Sequence, residues 1–401
     1  MRPFKRLISL EQALSMTSNC TVPTKKTERL SVVEAVGRVS AENVVSKMSV
    51  PPFSRSAMDG YAVRARDTFG VSKIKPVRLS QDEPILVGSV PKKTLTKGTC
   101  AMIATGAMLP KGADAVVMVE DTEVEGKAVL LHESVHPGQN VSRKGEDITP
   151  GTKIISYGQV LNPSKLGVLA AVGRDEIRAY AKPLVGVVST GNEITELGSE
   201  LGPGKVYNIN SYTLCGAVSA NGGQVRMLGI VDDTVEDIER VVRENSDCDI
   251  LVFSGGSSVG ERDIMIDVLE RNGKVVFHGI AMKPGKPTLF GTIEEQLVFG
   301  MPGHPTSCLS NAYLLLTPVL RKMARLPPQR PACVPARIAK RVVSTTGRTQ
   351  FLTVRLDGDI AHPAFKESSA ITSMAFADGY VVIPADVDLI EKGERVTVYL
   401  L

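Results

Sequence analysis

Residues 249–263 read DILVFSGGSSVGERD. Asp249–Phe253 is a short apolar run with β preference. The chain then breaks into Ser254-Gly255-Gly256-Ser257-Ser258-Val259-Gly260, and a helix-like segment opens at Glu261-Arg262-Asp263. A strand, a glycine-rich loop and a helix start gather backbone N–H groups at the carboxyl end of the strand. Their unpaired N–H groups and the helix dipole both favour an anion there. Two further loops follow, Lys283-Pro284-Gly285-Lys286-Pro287 and Met301-Pro302-Gly303-His304-Pro305, the second opening another helical run. Three loops so placed predict one ligand-binding edge.

Outward from this stretch the chain alternates. Leu184–Val188 is a buried-strand run ending in Ser189-Thr190-Gly191-Asn192-Glu193. Ser211–Ser219 reads as a helix and Gln224–Val231 as a strand. Asp232 or Asp233 then caps a helix whose Val235, Ile238, Val241 and Val242 share a face. A helix over Asp263–Arg271 and a strand over Lys274–Ile280 continue the pattern. Short strands separated by helical periods mean βαβ units and a parallel sheet with right-handed crossovers. The loops after such strands meet at one edge, so Thr190–Glu193, Asp232/Asp233 and Ser254–Asp263 are expected to face one cleft. A helix from Pro305 to Leu326 closes the domain, and Pro327-Pro328 starts a stiff linker.

The flanks differ in texture. Helices are expected over Leu10–Thr17 and Ser31–Val36, the latter with a Ser31/Glu34 capping box, and over Ser164–Ala171. Asp59-Gly60 is a turn feeding a strand-like Tyr61–Val63, and Lys75–Val135 is a β pattern containing the Thr105-Gly106 turn. A polar hinge over Pro137–Asp147 carries Arg143 and Asp147, and the residues after the linker form a small β module. The predicted class is multidomain α/β: a central parallel-sheet domain flanked by β-rich parts. The expected division is 1–48 plus 138–180, 49–137, 181–326 and 327–401.

Composition narrows the function classes. A chain of 401 residues with 43% hydrophobic and 22% charged residues folds throughout and exceeds a single core. A net charge of +4 selects no partner, and the absence of Trp with only 4% aromatics argues against a single-strand nucleic-acid binder. Six scattered Cys with no CxxC pair predict buried free thiols in a reducing compartment. No eighteen-residue apolar run or secretory leader is found, so a cytoplasmic protein without membrane association is expected.

Glu193, Asp232 and Asp263 are hard oxygen ligands at strand ends beside phosphate-suited loops, a combination that fits Mg²⁺. Each acid also serves as a cap or surface charge in ordinary structure. Lys283 and Lys286, on a backbone stiffened by proline, make a fixed positive site for an oxyanion. His304 is either a ligand or a structural residue before Pro305. No Ser-His-Asp group or Cys/His metal cluster emerges.

Taken together, PPFSRSAMDGYAVR (51–64), TGAMLPKGADAVV (105–117), RKGEDI (143–148), STGNE (189–193), SGGSSVGERD (254–263), KPGKP (283–287) and PGHPTS (302–307) resemble the MoeA/gephyrin E-domain family, over essentially the whole chain and in order. The resemblance implies a molybdopterin molybdenumtransferase that inserts molybdate into adenylylated molybdopterin, with Mg²⁺ as helper and AMP released. It implies a homodimer whose cleft is shared between subunits, with Asp59 and Thr105 supplied by the partner chain and Asp147 and Arg143 at its border. Glu193, Asp232 and Asp263 would hold Mg²⁺ or pyrophosphate. Thr190, Gly191, Ser254, Gly255, Gly256, Ser258 and Gly260, with Pro302 and Gly303, would cradle the substrate. Lys283, Lys286, Ser307 and Ser369 would bind the oxyanion.

Three positions depart from the family pattern. Gly-Gly-Ser-Ser replaces Gly-Gly-Val-Ser, His304 stands where the family has Asn, and Thr353 stands where it often has an oxyanion-binding Arg, with Arg355 two residues on. Arg355 either substitutes or leaves the clamp to the lysines and serines. Molybdate and tungstate are not distinguished by such a site. Two alternatives belong to other classes: a scaffold, as gephyrin-like chains also serve, and an adenylyltransferase, whose single domain is similar to residues 183–326. An adenylyltransferase and apo-molybdoenzymes are the protein partners that the resemblance implies.

Overall fold

The computed structural model describes residues 7–255 and 264–401, which fall into two units. One holds residues 29–36 and 40–178; the other holds the preceding residues, 37–39 and everything from 179 on. No helix among the described residues is long and apolar enough to cross a membrane.

The first unit is built on a six-stranded sheet in the order Ala115–Met118, Gly60–Val63, Thr99–Ile103, Val77–Ile85, Ala128–Leu131, Thr122–Glu125. Alternation buries both faces. Tyr61 and Val63 pack with Leu79, Val117 and Leu131, while Ala62 packs with Ile85, Leu95 and Ile103 on the other side. A separate cluster of Val44, Ile155, Leu161, Leu169 and Ile177 seats the helix Pro163–Ala171, which Asn162 caps at its amino end. The helix expected over Ser31–Val36 does not form. Thr27–Ser31 is a strand, and residues 32–37 make turns. The Ser31/Glu34 pair still closes as a capping box would, Glu34 N donating to Ser31 Oγ at 3.4 Å and Ser31 N to Glu34 Oε2 at 3.3 Å. Six residues rich in β-branched valine are too few to offset the cost of helix nucleation.

In the second unit the sheet order is Gln224–Val231, Leu184–Thr190, Ile250–Ser254, Gln296–Met301, Leu289–Ile293, Lys274–His278. The first four strands are parallel; Leu289–Ile293 pairs antiparallel with Gln296–Met301 through a hairpin turning at Glu294, where φ is 51°, and antiparallel with Lys274–His278 on its other side. Lys274–His278 therefore sits at the far edge, with Leu289–Ile293 between it and the parallel strands. Val185 and Val187 face the helices Ile209–Ala220 and Pro305–Asn311, while Val188, Leu251 and Phe253 face Val235–Glu244 and Ile264–Asn272. The cap of Val235–Glu244 is Thr234, not Asp232 or Asp233: its hydroxyl accepts from Asp237 N at 3.2 Å.

After Pro305–Asn311 the closing helix widens into a π segment, Ala312–Leu316, and continues as Thr317–Met323. The carboxyl-terminal strands Cys333–Ile338, Arg395–Leu400, Gly379–Ile383, Thr349–Asp357 and Ile360–Pro363 close on one another as a barrel around Ile338, Leu352, Val354, Val381 and Val398. Met282–Lys283, from the α/β part, adds alongside Thr349–Gln350 of that barrel.

Candidate active site

Three strand ends meet at the carboxyl edge of the parallel sheet. Gly255 (φ 100°) donates from its N–H to Met301 O at 3.2 Å, and a Cβ there would strike the Thr190 carbonyl. Only glycine allows this approach. A Cβ on Gly303 would lie 3.8 Å from Gly255 Cα, so the Pro302-Gly303 turn is also at this edge. Asn210 ties the parts together: Nδ2 donates to Ser254 Oγ and to the Gly303 carbonyl, both at 2.7 Å. Asn208 Oδ1, at the cap of the same helix, accepts from Ser189 Oγ at 2.8 Å. Thr190 Oγ1 and Asn210 Oδ1 are buried without a hydrogen-bond partner among the described residues. Two unspent polar atoms beside a glycine turn are what a ligand cradle leaves in the free chain.

The acids lie along this edge. A Cβ on Gly191 would be 2.7 Å from Glu193 Oε2, so that carboxylate folds back over the turn. Asp233 is held above the ordinary carboxylate range, first by lost solvation and then by the Glu193 charge, although its side chain still reaches solvent. Asp233 is thus the acid coupled to Glu193. Asp232, the expected ligand, offers its carbonyl to Thr234 N at 2.9 Å. Gly256, Ser258, Gly260 and Asp263 lie outside the described residues. No group of three His, Cys, Asp or Glu that could hold a metal occurs among the described residues.

The cationic loop meets the helix that starts at Pro305. Lys283 Nζ donates to Thr345 Oγ1 at 3.2 Å, and the Lys286 carbonyl accepts from Ile280 N and Thr288 N at 3.0 Å each. At the helix start, Thr306 N donates to Ser368 O (3.0 Å) and Thr306 Oγ1 to Ala370 O (2.9 Å), which docks the loop bearing exposed Ser369 beside buried Ser307. The loop of Lys283 and Lys286, through Gly285, and the loop of Ser369 therefore both dock on the helix that carries Ser307. Cys308, on the next residue, has its thiol pushed up to about 12 by burial and lies 3.9 Å from Ser254 Oγ, so it is no nucleophile at neutral pH. The cysteines are free; three of them are buried, and Cys333 is exposed.

In the other unit Asp59 Oδ1 accepts from Thr105 N at 2.7 Å on an exposed turn. The Arg143 loop is sewn to the Pro51 segment: Gly145 N donates to Pro51 O (2.9 Å), Lys144 N to Ser54 Oγ (3.1 Å) and Asp147 N to Val50 O (3.0 Å). Strand pairing of Ser56 with Val141 and Arg55 with Ser142 extends the seam. The four expected residues Asp59, Thr105, Arg143 and Asp147 thus belong to contiguous loops.

Matches to known proteins cover the chain in three blocks: the MoeA N-terminal region, domains I and II, over residues 8–173; the molybdopterin binding domain over 186–322; and the MoeA C-terminal region, domain IV, over 335–401. A molybdopterin molybdenumtransferase of Haemophilus influenzae is 33% identical, covering 98% of each chain. The molybdopterin molybdenumtransferase 2 of Mycobacterium tuberculosis H37Rv is 34% identical, covering 92% of this chain and 93% of its own. A crystal structure of a molybdopterin biosynthesis MoeA protein from Pyrococcus horikosii superposes with a TM-score of 0.84 at 40% identity, over 98% of this chain and 99% of that one. The chain belongs to the MoeA family.

Two departures from the MoeA pattern have a visible setting. His304 Nδ1 meets Ser368 Oγ at 2.7 Å, so the imidazole holds the Ser369 loop against the helix start. Thr353 is fully buried with Oγ1 unpartnered, whereas Arg355 is exposed, its Nε donating to Phe376 O at 2.8 Å and its guanidinium 5.6 Å from the Phe376 ring. Asn210 and Ser368 are not expected as site residues from the sequence, and Asp233 is expected at the cleft with Asp232 but not as a metal ligand. Asn208-Ile209-Asn210 at a helix start was the available signal for the first.

Proposed function

We propose that this MoeA-family chain is a molybdopterin molybdenumtransferase that inserts molybdate into the dithiolene of adenylylated molybdopterin and releases AMP. The observation that supports this reading is that the loop of Lys283 and Lys286 and the loop of Ser369 both dock on the helix that carries Ser307, next in sequence to the Gly303 turn that Asn210 ties to Ser254. The lysines concentrate a tetrahedral dianion and the serine hydroxyls donate to its oxygens. Thr190, Gly191, Ser254, Gly255, Pro302 and Gly303, with Gly256, Ser258 and Gly260, bind the substrate. One oxo group leaves as water, taking the two protons of the incoming dithiolene thiols. Positioning and electrostatics supply the catalysis.

Mg²⁺ fits the residues present, because it takes one or two carboxylates and completes its shell with water and phosphate oxygen. After lost solvation, the Glu193 charge contributes to raising Asp233, and Asp232 and Asp263 are the further candidate ligands. Held by these carboxylates, Mg²⁺ would supply positive charge to the phosphate oxygens while water cleaves the phosphoanhydride and AMP leaves.

The molecule works as a homodimer in which Asp59, Thr105, Arg143 and Asp147 serve the site of the second copy. Residues 1–48 with 138–180, 49–137, 181–326 and 327–401 are its working divisions. It acts in the cytoplasm, between an adenylyltransferase and the apo-molybdoenzymes. Arg355, anchored through Nε, contributes its remaining donors to the anion.

The test supplies adenylylated molybdopterin, molybdate and Mg²⁺ and measures activation of an apo-molybdoenzyme. Activation with AMP release is expected. Transfer of AMP from ATP onto free molybdopterin, with no activation, would instead make the chain an adenylyltransferase.

A further inference from the structure

Asn311 lies on the closing helix one turn beyond Ser307, at i+4 and hence on the same face, immediately before the π segment. It is fully buried. Its Nδ2 donates to the Gly285 carbonyl at 3.0 Å and also to Thr288 Oγ1; Thr288 Oγ1 in turn donates to the same carbonyl at 2.8 Å. Gly285 has φ 108°, and a Cβ on it would strike the Asn311 amide. The carbonyl fixes which end of the amide carries nitrogen, and this leaves Oδ1 buried without a partner. A buried amide with an unsatisfied acceptor destabilises a fold relative to Leu or Met at the same place. Such a group is expected where its donors do work that packing cannot.

That work is to hold the lysine loop. Gly285 lies between Lys283 and Lys286, so the Asn311–Thr288–Gly285 triangle pins the loop at its middle to the helix that carries Ser307. Lys283 is pinned a second time by pairing with Gln350 on the barrel. The geometry points to Asn311 as a positioning residue that sets the backbone carrying the two lysines against the helix that carries Ser307, and thereby the selection of molybdate over the smaller sulfate dianion. This inference rests on the proposed transferase function and deepens it.

The test measures apo-molybdoenzyme activation by full-length wild type, Asn311→Ala, Thr288→Val and Thr288→Ser, titrating molybdate with and without sulfate at saturating pterin substrate. Pterin binding is followed in parallel by ligand fluorescence, and folding by the thermal transition. Asn311→Ala and Thr288→Val should raise the KM for molybdate about tenfold, the size of one well-placed hydrogen bond, and sharpen inhibition by sulfate. Their kcat and pterin affinity should stay within about twofold, because the loop and not the cradle has been loosened. Thr288→Ser keeps the hydroxyl and should behave as wild type. Should Asn311→Ala fail to fold, Thr288→Val decides. An unchanged molybdate KM in folded variants, or an equal loss of pterin binding, overturns the clamp while the transferase reading stands. A wild-type protein that uses no molybdate overturns both.

Discussion

The lysine loop and the Asp59 turn each put charge at a glycine corner, yet they are held in opposite ways. The lysine loop is fixed from two sides, by the Asn311–Thr288 triangle and by the barrel strand at Thr349–Gln350. Asp59 is exposed and keeps a single side-chain partner, Thr105 N, leaving the second carboxylate oxygen uncommitted among the described residues. A tethered pair of ammonium groups suits an anion that must be held at one geometry. A carboxylate presented on a turn suits a group arriving from outside its own unit. The difference teaches that the lysine loop is preorganised by contacts on both sides, whereas the Asp59 carboxylate is presented to solvent.

The largest expected effect breaks this comparison at the Asp59 side. Asp59→Asn and Glu193→Gln should each be nearly inactive, since each neutralises one charge of the proposed site. If Asp59 serves the second copy, a mixed dimer holds one doubly altered site and one unaltered site. Mixing under subunit exchange should restore about a quarter of wild-type activity, because about half the dimers are mixed and each has one working site. No recovery, with mixed dimers shown by mass spectrometry, would place Asp59 outside the shared site and leave it as a turn residue.

Next in size are the lysines. Lys283→Ala or Lys286→Ala removes a charge-assisted hydrogen bond worth about 1.5–3 kcal/mol, so the molybdate requirement should rise about ten- to hundredfold, with partial rescue by excess molybdate. A collapse of pterin affinity at unchanged molybdate KM would assign the loop to phosphate. Arg355→Ala should act in the same direction but only a fewfold, because its Nε is already spent on the Phe376 carbonyl. A molybdate KM identical to wild type would leave the anion to lysines and serines alone.

What was legible in the sequence follows the range of the interactions involved. The parallel strands and their glycine turns show themselves through runs such as Asp249–Phe253, because burial on both faces demands continuous apolar residues. The Leu289–Met301 hairpin did not show itself, since its turn at Glu294 carries none of the Gly or Asn that usually marks one. Ser31/Glu34 carried the local signal of a helix start, but no helix follows it. Asp232 and Asp233 both read as candidate caps of the next helix, whereas Thr234 takes the cap and Asp233 is the acid raised by lost solvation and then by Glu193. Asn210, Thr288 and Asn311 act on residues far along the chain, and a single polar residue inside a helix or strand start leaves no periodic trace. The motif residues Lys283, Lys286 and Ser307 were legible; the groups that hold them in place were not.

The smallest effect concerns the acid pair and is read through stability. Asp233 has its folded pKa raised, by lost solvation first and by Glu193 second, so the folded state binds its proton more tightly than the unfolded chain does. Stability therefore falls as pH rises from the unfolded value, about 4, through the raised folded value, and below that window Asp233 has no effect. At pH 7 without Mg²⁺, Asp233→Asn should raise Tm by about 1–2 °C, a modest figure because the group is solvent-accessible and its repulsion is screened. At pH 3.5 the two proteins should melt together. Adding Mg²⁺ should reverse the order at pH 7, since a cation bound by both carboxylates stabilises the wild type by mass action and the variant less. Identical Mg²⁺ shifts in the two proteins would remove Asp233 from the metal site and return that place to Asp232 or Asp263.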